Sequence, residues 1–160
     1  MEIIKVIDNL LTPDQEDFVI EYCENTSYQY GEYDRKGLPV TGMVSEIDEN
    51  EDIYELFRYN TEHLTIGMEL DRMYVNCFSP NENPYFHTDG EDGITFLYYP
   101  DQGWELDDGG ETQFYIDGEI RGITPVSNRM IYFDANIMHR ATTFRNRHRF
   151  TLAVKYMVSC

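Results

Sequence analysis

From Leu70 to Met157 the chain is a succession of short segments rich in Tyr, Phe, Val, Ile and Thr, broken by Gly, Pro, Asn and Asp. The segments are 70–78, 93–99, 111–116, 119–122, 128–133, 138–143 and 148–157. Regularly spaced short strands with turn residues between them fit a sandwich or a barrel, and little else. The last segment alternates, with Phe150, Leu152, Val154 and Tyr156 on one face and Arg149, Thr151, Ala153 and Lys155 on the other. A period of two places the first set against apolar packing and gives the second set a separate environment.

The front of the chain reads differently. Residues 2–6 predict a short strand. Thr12 as N-cap, Pro13 at the first helical position and Asp14 in the first turn open a helix. Its buried stripe is Phe18, Val19, Tyr22 and Cys23. A second helix fits 50–64, with Ile53, Leu56, Phe57 and Leu64 on one side, and 27–46 reads as strand, loop, strand. No linker separates front from back. The expectation is one domain over residues 1–160, with a helical and strand front (1–67) packed outside a mainly β, α+β barrel core (68–160).

Charge narrows the partners. Thirty acidic residues against 12 basic ones give −18, which argues against duplex nucleic acid and against an anionic membrane surface. No apolar run reaches the length of a membrane span. Neither a signal peptide nor a disulfide framework is legible, and Cys23, Cys77 and Cys160 read as reduced thiols, so a cytoplasmic location is expected.

Chemistry concentrates in few residues. His87 and Asp89 stand two apart in PYFHTDG, so on an extended strand both point to one face. His139 lies in IYFDANIMHRATT at the start of another strand. Two His and one carboxylate with three open positions is the ligand set of non-haem Fe(II) oxygenases; a plain Asp-Gly turn is the alternative. Arg149 opens the alternating strand and should point inward, where a guanidinium needs an anion. A dicarboxylic ligand or one of the chain's own acids would serve.

These motifs resemble the Fe(II)- and 2-oxoglutarate-dependent oxygenases, in their prolyl 4-hydroxylase-like branch. The resemblance spans roughly 68–157 and rests on His87-Thr88-Asp89, ITFLYYPDQGW (94–104), GGETQFY (109–115), His139 and Arg149-Phe-Thr. It implies a double-stranded β-helix (jelly-roll barrel) with two or so helices outside, with His87, Asp89 and His139 as metal ligands. It implies that Arg149 binds the distal carboxylate of 2-oxoglutarate, that Tyr99 helps hold it, and that Thr95 and Thr151 line the same pocket. Fe(II), 2-oxoglutarate and O2 follow as cofactor and co-substrates, with ascorbate as reductant. The implied activity is hydroxylation of an unactivated C–H bond, foremost proline in a peptide or protein, with free proline or another small amino acid as the alternative. One departure is Phe78, where the family often has a Tyr about nine residues before the first His; Tyr85 is the nearest substitute hydroxyl.

Other classes stay open on the residues alone: a non-catalytic jelly-roll binding module, or zinc on the same triad acting as a hydrolase. Substrate contacts are expected from loops 27–48, 79–86 and 100–109. Tyr28, Tyr30 and Tyr33 read as substrate contacts or as cover for the barrel, and Trp104 as a substrate contact or a loop anchor. The acidic run Glu105, Asp107, Asp108 reads as a solvated loop. Arg140, Arg145, Arg147 and Arg149 form a basic cluster, either a solvated hairpin or a local positive field. His148 faces away from Arg149's side, and His63 belongs to the second helix.

Overall fold

The computed structural model describes residues 3–159. Cys160 and Glu2, the first residue of the strand expected over 2–6, lie outside them. Nine strands, β1 (Lys5–Ile7), β2 (Met43–Glu46), β3 (Met68–Phe78), β4 (Gly93–Tyr99), β5 (Thr112–Ile116), β6 (Glu119–Ile123), β7 (Arg129–Asp134), β8 (His139–Arg140) and β9 (Arg149–Val158), form two antiparallel sheets. The larger has the order β1-β7-β4-β9-β3-β2 and the smaller β6-β5-β8. Phe114 and Ile116 of the smaller sheet pack with Tyr74, Leu97, Ile131, Phe133 and Ala153 of the larger, so the two face each other. This is the jelly-roll arrangement, mainly β, with two helices on its outside.

The helices α1 (Pro13–Asn25) and α2 (Asp52–Thr61) cover the other face of the larger sheet. The front of α1 is a capping box: Gln15 N–H donates to Thr12 Oγ1, and Thr12 N–H donates to Gln15 Oε1. Val19 and Cys23 of α1 and Ile53 and Phe57 of α2 are buried against Phe96, Leu152, Val154 and Tyr156. Phe57 is fully buried and meets Tyr98 edge-on at 5.1 Å between ring centroids. Phe57→Ala is therefore expected to cost about 3–5 kcal/mol, read as a lower denaturant midpoint at unchanged slope.

Several boundaries differ from the expected ones, for local reasons. The helix expected over 50–64 ends at Thr61, and Glu62–Leu64 tightens into a 3-10 turn. The first strand of 27–46 shrinks to a single bridge between Gln29 and Val44, because Gly31 and Gly37, both at positive φ, turn the chain away from β2. The strand expected over 138–143 lasts only two residues, since Thr142 turns its hydroxyl onto Glu111 O instead of extending the ladder. Cys23 and Cys77 are free and buried, and burial pushes their thiols up to about 12 and about 11.

The face assignment on β9 holds. Leu152, Val154 and Tyr156 enter the core beneath the helices, whereas Arg149, Thr151 and Lys155 line a cavity between the sheets. That strand is central, flanked by β4 and β3.

Candidate active site

The cavity measures about 220 Å³ and is lined from both sheets, by residues such as Tyr74 and Leu97 of the larger and Thr112 and His139 of the smaller. His87, Asp89 and His139 stand together on its wall. The backbone brings them there: His87 N–H donates to His139 O at 3.0 Å, and His139 N–H returns to His87 O at 2.9 Å. Phe114 of β5 pairs with His139 from the other side, and Asp89 N–H donates to Ala135 O at 2.8 Å. Side chains two apart on the 87–89 segment thereby share a face with a third from β8.

The donor atoms converge. His87 Nε2 is 3.5 Å from Asp89 Oδ1, His139 Nε2 is 3.3 Å from Asp89 Oδ2, and one ligand atom from each residue lies within 4.8 Å of the others. Each imidazole is oriented from behind. His87 Nδ1 donates to Tyr85 O at 3.1 Å and His139 Nδ1 to Ile137 O at 2.8 Å, which leaves both Nε2 atoms facing the carboxylate. Asp34 Oδ1 stands 3.5 Å behind His87 Nδ1. Burial opposes the charge on His87, but Asp89 and Asp34 outweigh it and raise its pKa. Burial likewise opposes ionisation of Asp89, and hydrogen bonds from His139 and His87 with the charge of Lys155 hold it well below the usual carboxylate range. A set of two imidazoles and one carboxylate, oriented and grouped this closely, fits a divalent cation with open coordination positions.

Arg149 lines the same cavity, 1% exposed. Its Nε donates to Gly110 O at 2.9 Å, Nη1 to Thr151 Oγ1 at 2.8 Å and Nη2 to Thr112 Oγ1 at 3.2 Å. Of a guanidinium's five N–H groups this leaves two. Among the described residues no carboxylate pairs with it, Glu111 acts only through space, and burial pushes the Arg149 pKa down. Gly110 makes the contact possible: its φ is +81°, and a Cβ there would meet the Phe144 ring at 2.4 Å. A buried guanidinium with spare donors and no anion of its own is a site for a carboxylate.

The remaining expected residues fall into place unevenly. Thr151 lines the cavity and accepts from Arg149. Thr95 does not line it; its hydroxyl donates to Asp89 Oδ2 at 2.7 Å, so it fixes the carboxylate of the triad instead. Tyr99 stays behind the wall, fully buried, with its hydroxyl engaged by Thr112 Oγ1 at 2.6 Å and its ring 5.7 Å from the Arg149 guanidinium. It reaches the cavity only through Thr112 and Arg149. Phe78 lines the cavity, and Tyr85 contributes its main chain, accepting from His87 and donating to Asp34.

The loops are more structural than expected. Tyr33 lines the cavity and Tyr30 is exposed, but Tyr28 stacks on Phe150 and donates to Cys23 O. Trp104 is a loop anchor, its Nε1 donating to Gly109 O at 2.9 Å. The acidic run is not merely solvated: Asp108 takes both Nη atoms of Arg147 at 3.0 Å, and Arg145 bonds Asp107 O. Within the basic cluster only Arg147 is paired with a carboxylate, whereas Arg140 bonds Gln113 Oε1 and lies over the Phe86 ring. His148 is exposed beside Ser79, and His63 is exposed in the 3-10 turn.

Three further residues line the cavity without a role that the motifs assign. Lys155 donates to Asp89 Oδ1 at 2.9 Å; its place on the inward face of β9 was readable from the alternation. Thr112 follows the Gly-Gly turn. Asp34, in a glycine-punctuated loop, has no sequence signal at all; Thr41 and the Tyr85 amide fasten it over the cavity.

The family model described as the 2OG-Fe(II) oxygenase superfamily matches residues 71–157, which include all three candidate ligands and Arg149. No curated protein matches the chain in sequence. Among solved structures, a Pseudomonas putida prolyl-4-hydroxylase aligns with a TM-score of 0.80 at 17% identity, over 100% of this chain and 95% of its own. A Trichoplax adhaerens prolyl hydroxylase, solved with a hypoxia inducible factor oxygen degradation domain peptide fragment, aligns at 0.79 and 17% identity over 98% and 84%. HygX from Streptomyces hygroscopicus, solved with nickel and 2-oxoglutarate, aligns at 0.75 and 9% identity over 98% and 83%. At these identities the likeness is one of fold. The family match covers more than half of the sequence and the fold agrees with it over the full length: the chain belongs to the 2OG-Fe(II) oxygenase superfamily, whose members use Fe(II), 2-oxoglutarate and O2.

Proposed function

We propose that this chain is a hydroxylase in which His87, Asp89 and His139 hold Fe(II) and Arg149 holds the distal carboxylate of 2-oxoglutarate. The observation that carries the reading is the pairing, within one cavity, of a converging His-Asp-His set with a fully buried guanidinium that has no carboxylate partner among the described residues. A zinc hydrolase on the same triad would leave Arg149 without a role. A binding module would give no reason for either feature.

The iron, with 2-oxoglutarate and O2, supplies the oxidising capacity for hydroxylating a C–H bond, with succinate and CO2 as by-products. The chain's own residues do the rest. Arg149, aimed by Gly110, Thr112 and Thr151, fixes one end of the co-substrate by a bidentate ion pair. Tyr99 supports that end by holding Thr112 in place. Thr95 and Lys155 keep Asp89 oriented. Phe78, Leu97 and Tyr74 give the cavity apolar walls that exclude water.

The prime substrate is proline in a peptide or protein, with free proline or another small amino acid as the second reading. Support comes from the fold shared with prolyl hydroxylases, one of them solved with a peptide. Tyr33 at the cavity supplies flat apolar surface for a ring. The chain works as one catalytic unit in the cytoplasm, with ascorbate keeping the iron reduced.

The test is an anaerobic Fe(II) titration with 2-oxoglutarate, followed by succinate release over prolyl peptides, free proline and other amino acids. A weak absorption at about 500–530 nm is expected for the keto acid chelated to iron on such a triad. Iron binding without the band would remove 2-oxoglutarate from the reading. Succinate coupled to free proline but to no peptide would reverse the substrate order.

A further inference from the structure

We propose that Lys155 is the resident counter-ion of Asp89: its ammonium grips that carboxylate and keeps it in the ligand position until a divalent cation takes its place. The inference rests on the metal reading above and adds to it a positioning residue outside the triad.

The Asp89 side chain is 4% exposed. A carboxylate buried to that degree is costly unless its charge is matched and both oxygens have donors. Lys155 Nζ lies 2.9 Å from Oδ1, and Thr95 Oγ1 lies 2.7 Å from Oδ2. Besides the two imidazoles, each oxygen therefore has its own fixed donor, and the carboxylate cannot rotate without losing both. Of the two donors only Lys155 brings charge. It does so without occupying Nε2 of His87 or His139, the atoms a metal needs.

Lys155 is itself held rigidly. It sits mid-sheet on β9, opposite Arg72 of β3 and Thr95 of β4. Its ammonium lies 5.2 Å from the centroid of the Tyr74 ring, whose other neighbour is the Arg72 guanidinium at 4.0 Å. Arg72 is committed to Glu32 and Glu46. Asp89 is the carboxylate that pairs with Lys155 among the described residues, and the Lys155 side chain is 14% exposed. A metal ion bound by Asp89 meets this ammonium as a like charge, so metal and Lys155 compete for one negative charge. Lys155 thus stabilises the chain most before metal arrives and least afterwards.

Thermal melting of the full chain with and without Mn(II), a redox-stable probe for the Fe(II) position, tests this in wild type, Lys155→Met, Lys155→Gln and Lys155→Arg. Metal-free Lys155→Met and Lys155→Gln are expected to melt about 5–10 °C below wild type, as for loss of one partner of a buried pair. Mn(II) should close most of that gap, so that the metal-induced rise exceeds that of wild type. If either variant is unfolded without metal, its recovery on adding Mn(II) is the same result in stronger form. Lys155→Arg should follow wild type. An equal deficit with and without Mn(II) would assign Lys155 to packing alone and overturn the proposal, as would metal-free variants that melt like wild type. A wild type that shows no rise with Mn(II) would overturn the metal reading, and this proposal with it.

Discussion

His87→Ala is expected to abolish Fe(II)-dependent turnover, by about 10³-fold or more, or about 4 kcal/mol in barrier, while circular dichroism and melting stay close to wild type. His87 is the triad member best suited to a clean result. Its side chain is partly exposed, and what it loses behind the ring is one bond to a main-chain carbonyl. Asp89→Ala should be equally inactive but less stable, because it leaves the Lys155 ammonium buried with no carboxylate beside it. The two variants together separate loss of a ligand from loss of a fold. Full activity in either, measured as succinate release with added Fe(II), would remove that residue from the metal site.

Arg149→Met should bind iron normally and fail at the co-substrate. Truncating one partner of a buried, hydrogen-bonded charge pair costs about 2–5 kcal/mol, so the KM for 2-oxoglutarate should rise by about 30- to 4,000-fold. The effect on kcat at saturating 2-oxoglutarate should be far smaller. A second readout is direct: 2-oxoglutarate with Mn(II) should raise the melting temperature of wild type beyond the effect of Mn(II) alone, and should add nothing to the variant. An unchanged 2-oxoglutarate requirement would mean that another group holds the distal carboxylate.

The parts of the site that were legible in the sequence are those written by strand periodicity. His87 and Asp89 share a face because they are two apart, and Arg149, Thr151 and Lys155 share one for the same reason. The core beneath the helices is readable in Val19, Cys23, Ile53 and Phe57, which follow helical spacing, whereas Phe18, expected in the same stripe, is exposed. The parts that were not legible depend on contacts between distant segments. Asp34 reaches His87 across more than fifty positions, from a loop with no regular pattern. Arg147 reads as part of a solvated hairpin or a local positive field because its partner, Asp108, lies on another loop. Thr95 and Tyr99 were placed on the right strand, but the strand's neighbours decide what their hydroxyls meet: Asp89 for one and Thr112 for the other. Periodicity assigns a face, and only the opposing element assigns a partner.

Strand β9 serves two environments at once, with apolar residues turned to the helices and charged ones to the cavity. Sliding it by one residue against β3 and β4 would drive Arg149 and Lys155 into the apolar layer and put Leu152 and Val154 between the sheets. The misaligned chain would bury two unmatched cations, so the residues of the catalytic pocket also proofread the pairing of the central strand during folding. A single-residue insertion or deletion between Arg149 and Lys155 should therefore be lost as an unfolded or aggregated protein before it could be observed as an inactive one.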